Sequence, residues 1–238
     1  MKKAMMLILC FLSFHAMAQS KPFEAGEYIT EGGWGVMNIG PFENGYQSFE
    51  IFAVGGNAHV CELSGKIDRH VGVTEGGGCE IVFYRNDNGI EVVVDDEMYE
   101  ACRSNCGSRA SFDGHYLKPS QGCEGDAMKQ TVDRSDELVR QGAYVEAESV
   151  LRELLTHCQV TLDHFDDGRL RNELAEIQAR LNMKQACFET LQPWADLANE
   201  TDEEVCRNRY QSPASCVEAL PIVNSTRINL NKCAALPE

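Results

Sequence analysis

Eleven cysteines occur in this chain, and one of them, Cys10, falls inside a segment with the marks of an export leader. The ten that remain are an even number, in a chain too large to need staples merely to fold. That combination predicts an oxidising compartment and a rigid, protease-resistant product held by disulfide bridges. The leader reads as residues 1–18. Lys2 and Lys3 form a basic start, Ala4 to Phe14 an apolar run, and Ala16-Met17-Ala18 a small-x-small cleavage site, with Gln19 as the expected mature start. The apolar run is too short to persist as a bilayer-spanning helix, and no later segment reaches that length, so no stable membrane insertion is expected after cleavage. The expected location is periplasmic or secreted.

Charge narrows the partners. The formal net charge is −16 in 238 residues, and loss of Lys2 and Lys3 with the leader would leave −18 in 220. So acidic a chain repels nucleic acid and anionic membrane surfaces. It favours a cationic protein partner, while the simplest use of the charge is solubility.

The chain changes character near residue 120. Residues 19–118 read as an antiparallel β domain, a small sandwich or barrel. Candidate strands run from Phe49 to Val54, Ala58 to Leu63, Cys79 to Tyr84 and Ile90 to Val94. Asn86-Asp87-Asn88-Gly89 between the last two is a hairpin signal, because asparagine and glycine accept positive φ. Glu31-Gly32-Gly33-Trp34-Gly35 and Glu75-Gly76-Gly77-Gly78 are glycine-rich turns that lack the context of a phosphate loop or a dinucleotide fingerprint. Phe112-Asp113-Gly114-His115-Tyr116 reads as a closing strand whose rings finish the β core.

Residues 119–238 read as α. Leu138, Val139, Tyr144, Ala147, Leu151 and Leu155 recur at helical spacing around a break at Gly142. Leu170, Leu174, Ile177, Leu181, Cys187, Leu191 and Trp194 do so around a break at Asn182-Met183. Pro193 is expected to end or kink the fourth helix, and Thr226 to Ala235 to form a last one. Gly142-Ala143-Tyr144-Val145-Glu146-Ala147 resembles the helix junction of tetratricopeptide repeats, and 182–187 with Leu191 echoes the frame. The second unit lacks the glycine and the tyrosine. The resemblance implies two degenerate helical hairpins over roughly residues 124–197 that stack on a shared face.

Hairpin geometry then pairs cysteines, because the start of one helix lies beside the end of the next. Cys123 pairs with Cys158, Cys187 with Cys233, and Cys206 with Cys216. In the β half, Cys61 and Cys79 fall on successive strands and Cys102 and Cys106 on one turn, which pairs each couple internally. Pairing within halves leaves three connectivities for four cysteines and fifteen for six, so this is one choice among many. Cys102 and Cys106 as half of a zinc site is the rival reading, and an even total in an oxidising space favours bridges.

Chemistry is thinly signalled. No His-Glu-x-x-His, Gly-x-Ser-x-Gly or Cys-x-x-Cys motif occurs, and no catalytic residue, metal-ligand set or cofactor is expected. Asp163 to Gly168 clusters carboxylates about His164 without calcium-loop spacing and reads as a solvated loop between hairpins. Three functions remain: an exported binding protein, an envelope scaffold using an aromatic groove near Tyr144 or Trp194 for peptide, or a hydrolase using Asp95, Asp96, Glu97 or His115 in a deep pocket. In size, charge, cysteines and export, the chain resembles bacterial inhibitor and immunity proteins that block cell-wall hydrolases or delivered toxins. That resemblance implies a non-catalytic binder of a cationic protein. Exposure arguments offer Trp34, Tyr46, Asp95, Asp96, Glu97 and Tyr144 as contacts.

Overall fold

The computed structural model describes residues 21–237, so the expected leader lies outside the described residues. Eight strands follow one another around a closed antiparallel barrel: β1 (Gly26–Thr30), β2 (Gly35–Ile39), β3 (Gln47–Val54), β4 (Val60–Asp68), β5 (Val71–Thr74), β6 (Glu80–Arg85), β7 (Gly89–Val93) and β8 (Gly114–Leu117). β8 closes it by pairing with both β7 and β1. Closure leaves no strand edge exposed for pairing with another chain.

Strict alternation builds the two longest strands. Along β3, Gln47, Phe49, Ile51 and Ala53 point inward and are buried, while Ser48, Glu50, Phe52 and Val54 point outward. The interior is filled with side chains such as Met37, Phe49, Ile51, Ile81, Phe83 and Tyr116, which leaves a packed core rather than a ligand chamber. Two inward-facing glycines make room for its rings. A Cβ at Gly72 would lie 2.5 Å from Phe83 Cε2, and one at Gly65 2.7 Å from Phe49 Cε1.

Both barrel ends are covered. At the lower end, where β1 begins, Phe23 packs on Phe83 with ring centroids 6.1 Å apart. Gln47 clamps it, accepting from Phe23 N–H at 2.7 Å and donating to Phe23 O at 3.0 Å. At the upper end, the connection from β7 to β8 carries a short helix, α1 (Tyr99–Arg103), and inserts Ala110 and Phe112 into the core.

Six further helices follow: α2 (Gly125–Arg140), α3 (Tyr144–Cys158), α4 (His164–Arg180), α5 (Lys184–Asn199), the short α6 (Asp202–Glu204) leading into a π-helical turn at Val205–Arg209, and α7 (Pro213–Ala234). α2 pairs with α3 around Gly142, at φ 78°. α4 pairs with α5 around Asn182, which takes φ 58° and does the same job without a glycine. α7 lies against both α4 and α5.

Several sequence expectations are corrected here. The β half is a barrel and not a sandwich, and the helical half is not simply a pair of tetratricopeptide-like hairpins. The β half is an eight-stranded closed barrel, where the pattern placed four strands and a closing one. The helical half is tied together by the long α7 and by a disulfide-closed π-helical segment, which have no counterpart in a stacked repeat pair. Pro193 does not end α5, which continues to Asn199. The hairpin after β6 forms, but none of Asn86, Asp87, Asn88 and Gly89 has a positive φ. Gly89 is needed there for space, since a Cβ would lie 2.0 Å from Tyr116 O. Asp163 to Gly168 is no loop. Asp163 caps α4 by accepting from Asp166 N–H at 2.8 Å, and the rest is its first turn.

Five disulfides join the ten described cysteines. In the helical half the bridges are Cys123–Cys158, Cys187–Cys233 and Cys206–Cys216. In the barrel the internal pairing is corrected to Cys61–Cys106 and Cys79–Cys102. β5, which the sequence pattern did not reveal, separates β4 from β6 and keeps Cys61 away from Cys79. Five bridges are the signature of an oxidising, extracellular or periplasmic environment. No helix among the described residues is long and apolar enough to cross a membrane.

Candidate protein-binding surface

The upper end of the barrel is heavily cross-linked. Two disulfides staple the 95–113 segment across it, one to β4 and one to the residue before β6. Backbone bonds stitch the same segment to the β3–β4 side: Glu62 N–H to Asn105 O at 3.2 Å, Gly107 N–H to Val60 O at 2.8 Å, and Gly56 N–H to Arg109 O at 3.0 Å. Arg103 donates to Ala110 O at 2.5 Å and also to Ser108 O, so its charge is used inside the segment. The Asp95, Asp96, Glu97 and Glu100 carboxylates are exposed and have no ion-pair partner among the described residues. Tyr99, at 55% exposure, stands among them. An acidic edge with an exposed phenol, held rigid, can meet a protein surface with a reduced ordering cost.

Trp34 lies at the same end. Its ring folds back over Gly114 and sits 6.2 Å from the buried Tyr116 ring, yet keeps 36% of its surface exposed. Trp34 O accepts from Val54 N–H at 2.7 Å, which fixes the turn onto β3. Trp34 and the Asp95–Glu97 carboxylates thus share one end, whereas Tyr46 is at the opposite one, with the Lys66 ammonium 4.4 Å from its ring centroid. Tyr144 is half-buried in the helical core, and the Arg180 guanidinium lies 5.5 Å from its ring centroid. His115 bonds Asn86 at 3.1 Å in the lower β6–β7 turn and does not converge with Asp95, Asp96 or Glu97.

Sequence reading missed the outer face of β2–β4, where Phe52, Val54 and Val60 are exposed beside half-buried Val36. The only available signal was the alternation itself. With apolar residues on both faces of β3, it does not say which face turns out.

In the helical half, a groove of about 640 Å³ runs between α3 and α5 over α4. Its charged groups are satisfied internally: Arg152 pairs with Glu148 and Arg171 with Asp167. Trp194 is buried rather than presented to it.

An aromatic cluster sits where the two halves meet. Gly32 N–H donates to Val160 O at 2.8 Å, and Gly33 packs so closely on Asp163 that a Cβ would lie 2.4 Å from its nitrogen. Beside this contact His164 stacks on Trp194 at 4.4 Å and shares a hydrogen bond with the Tyr210 hydroxyl. Burial lowers the His164 pKa, against the pull of Asp167 and Asp163, and burial pushes the Tyr210 phenol up to about 12. Burial also raises the Asp163 carboxyl, which titrates in a lower range.

The unfolded chain takes up the His164 proton near pH 6.5 and the folded chain only at lower pH, so stability is lost as pH falls through that window. The stability of the helical half is expected to decline between about pH 7 and pH 5, and His164→Gln to flatten that slope. Urea unfolding across the range checks it, and an unchanged slope in the variant would refute the assignment.

Compared with known proteins, the chain matches no family model, no curated protein and no solved structure.

Proposed function

We propose that the chain is an exported, periplasmic or secreted, non-catalytic protein that binds a cationic protein through the stapled upper end of its barrel. The partner class is a cell-wall hydrolase or a delivered toxin, and binding blocks it. The observation that carries this reading is the Asp95–Glu100 edge: exposed, unpaired carboxylates around Tyr99, on a segment that two disulfides and Arg103 hold rigid. The net charge of −16 adds long-range steering toward a basic surface. The packed barrel interior agrees with a role played by the surface.

The test uses the oxidised chain, residues 19–238, as bait against a panel of cationic peptidoglycan hydrolases and against envelope extracts. Stoichiometric inhibition of one hydrolase is expected, weakening as salt rises. The triple variant Asp95→Asn, Asp96→Asn, Glu97→Gln is expected to slow association roughly tenfold, with a smaller effect on dissociation. Association that is independent of both salt and these carboxylates overturns the reading, as does capture of structural envelope proteins alone.

A further inference from the structure

The outer face of β2, β3 and β4 lies beside the stapled end and is a separate surface. Register fixes its layout. Phe52 faces Val36 across to β2 and Glu62 across to β4. Glu50, two residues along β3, faces Asn38 on one side and Ser64 on the other. Directly opposed residues bring their Cβ atoms within about 5 Å, and two residues along a strand span about 7 Å. One exposed aromatic ring is thus bordered by two carboxylates, an amide and a hydroxyl. Together they line a shallow depression of about 490 Å³.

The charges there are uncompensated. Neither Glu50 nor Glu62 has an ion-pair partner among the described residues. The cation on these three strands is Lys66, and its ammonium lies over Tyr46 at the lower end instead. Phe52 is 48% exposed, large and apolar, in a chain whose surface is otherwise strongly acidic. An aromatic face attracts a cation through its quadrupole, and flanking carboxylates add hydrogen-bond acceptors at the cation's edge. A planar guanidinium satisfies both demands at once, whereas an ammonium meets them only as a point charge.

We propose that the β2–β4 face is a receptor for one arginine side chain of a protein partner, with Phe52 beneath the guanidinium plane and Glu50 and Glu62 at its edges. Val36 and Val54 take the aliphatic stem. The proposal extends partner binding to the side of the barrel, and its test requires no hydrolase.

The test is a titration of the ¹⁵N-labelled, oxidised chain (residues 19–238) with the capped tripeptide acetyl-Gly-Arg-Gly-amide. Its citrulline counterpart, which is neutral and of the same shape, and its lysine counterpart serve as controls. Saturable millimolar shifts are expected at the amides of Val36, Asn38, Glu50, Phe52, Glu62 and Ser64. Citrulline is expected to bind roughly tenfold more weakly, with lysine between the two. Phe52→Leu and Glu62→Gln, both on the solvent side of the sheet, should each weaken the arginine peptide several-fold while the rest of the spectrum stays unchanged. Equal binding of citrulline, shifts centred on Asp95–Glu100, or indifference to Phe52→Leu would each overturn the proposal. If no hydrolase is captured but the tripeptide binds here, this proposal stands and the hydrolase reading falls. The reverse pattern removes only this one.

Discussion

Alanine at Gly168 is expected to destabilise the helical half by about 1–3 kcal/mol, although helix propensity argues the other way. Gly168 is inside the 17-residue α4, where glycine costs up to about 1 kcal/mol relative to alanine. On propensity alone, Gly168→Ala would stabilise. Packing reverses the sign. A Cβ there would lie 2.4 Å from Trp194 Cζ2 and 2.6 Å from Ile222 Cγ2. Neither neighbour has room to retreat. Trp194 is 1% exposed, stacked by His164, and donates from Nε1 to Asp167 at 3.3 Å, while Ile222 is buried on α7. The nearby polar network is also at stake. Asn172 Nδ2 donates to Gly168 O at 2.9 Å and to Thr226 Oγ1 at 3.0 Å, and Asn229 donates to Asn172 O at 3.0 Å. Driving α7 off α4 breaks buried bonds of this kind, which are costly to leave unmade. Urea unfolding of Gly168→Ala against the parent chain decides it. A stabilised variant would mean that the three helices do not meet at this glycine.

Removal of either barrel bridge is expected to cost about 2–4 kcal/mol, more than any surface substitution at the same end. The two bridges close loops of 45 and 23 residues, so both restrict the unfolded chain substantially. The native-state consequence is specific. Without Cys79–Cys102, α1 loses its covalent hold on the β6 side. The 95–111 segment then becomes the preferred site of proteolysis, and the acidic edge is no longer presented rigidly. Limited proteolysis of Cys79→Ala/Cys102→Ala checks this, and cleavage elsewhere would count against that hold. Peptide mapping tests the connectivity itself. Arg103 lies between Cys102 and Cys106, so trypsin separates them. The pairing Cys61–Cys106 and Cys79–Cys102 yields two linked peptide pairs, distinguishable by mass from Cys61–Cys79 and Cys102–Cys106.

The cysteines show how far local reasoning reaches. Cys123 and Cys158 flank one helical hairpin, and a hairpin's geometry follows from its own break at Gly142. That break is a chemical feature of a single residue and is visible in the sequence. Barrel pairing has no such marker. It depends on which strand neighbours which, and β5 is only four residues long, too short for its alternation to stand out. β1 and β2 escape as well, each only five residues long, and β1 has one partner far off in sequence, as with Ile29 against Leu117. The closing aromatic strand was legible through Phe112 and Tyr116, both of which are buried, with the Tyr116 hydroxyl donating to Phe112 O at 2.8 Å.

Site residues divide along the same line. Asp95, Asp96 and Glu97 read as an exposed charge run, and Trp34 as an aromatic out of place in a glycine turn, from composition alone. Their gathering at one end of a barrel, pinned by bridges from β4 and from the residue before β6, required the tertiary structure. The Phe52 face required it entirely. Period-two alternation assigns residues to two faces but never says which face meets water, because that is set by closure of the sheet on itself. What the sequence by itself determined is local: an acidic, cysteine-bridged chain, a β half and an α half, and the glycine and asparagine breaks between helices. What only the tertiary structure decided is non-local: strand order, the two barrel disulfides, the glycine contact of α4 with α5 and α7, and the side of the sheet on which Phe52, Glu50 and Glu62 meet.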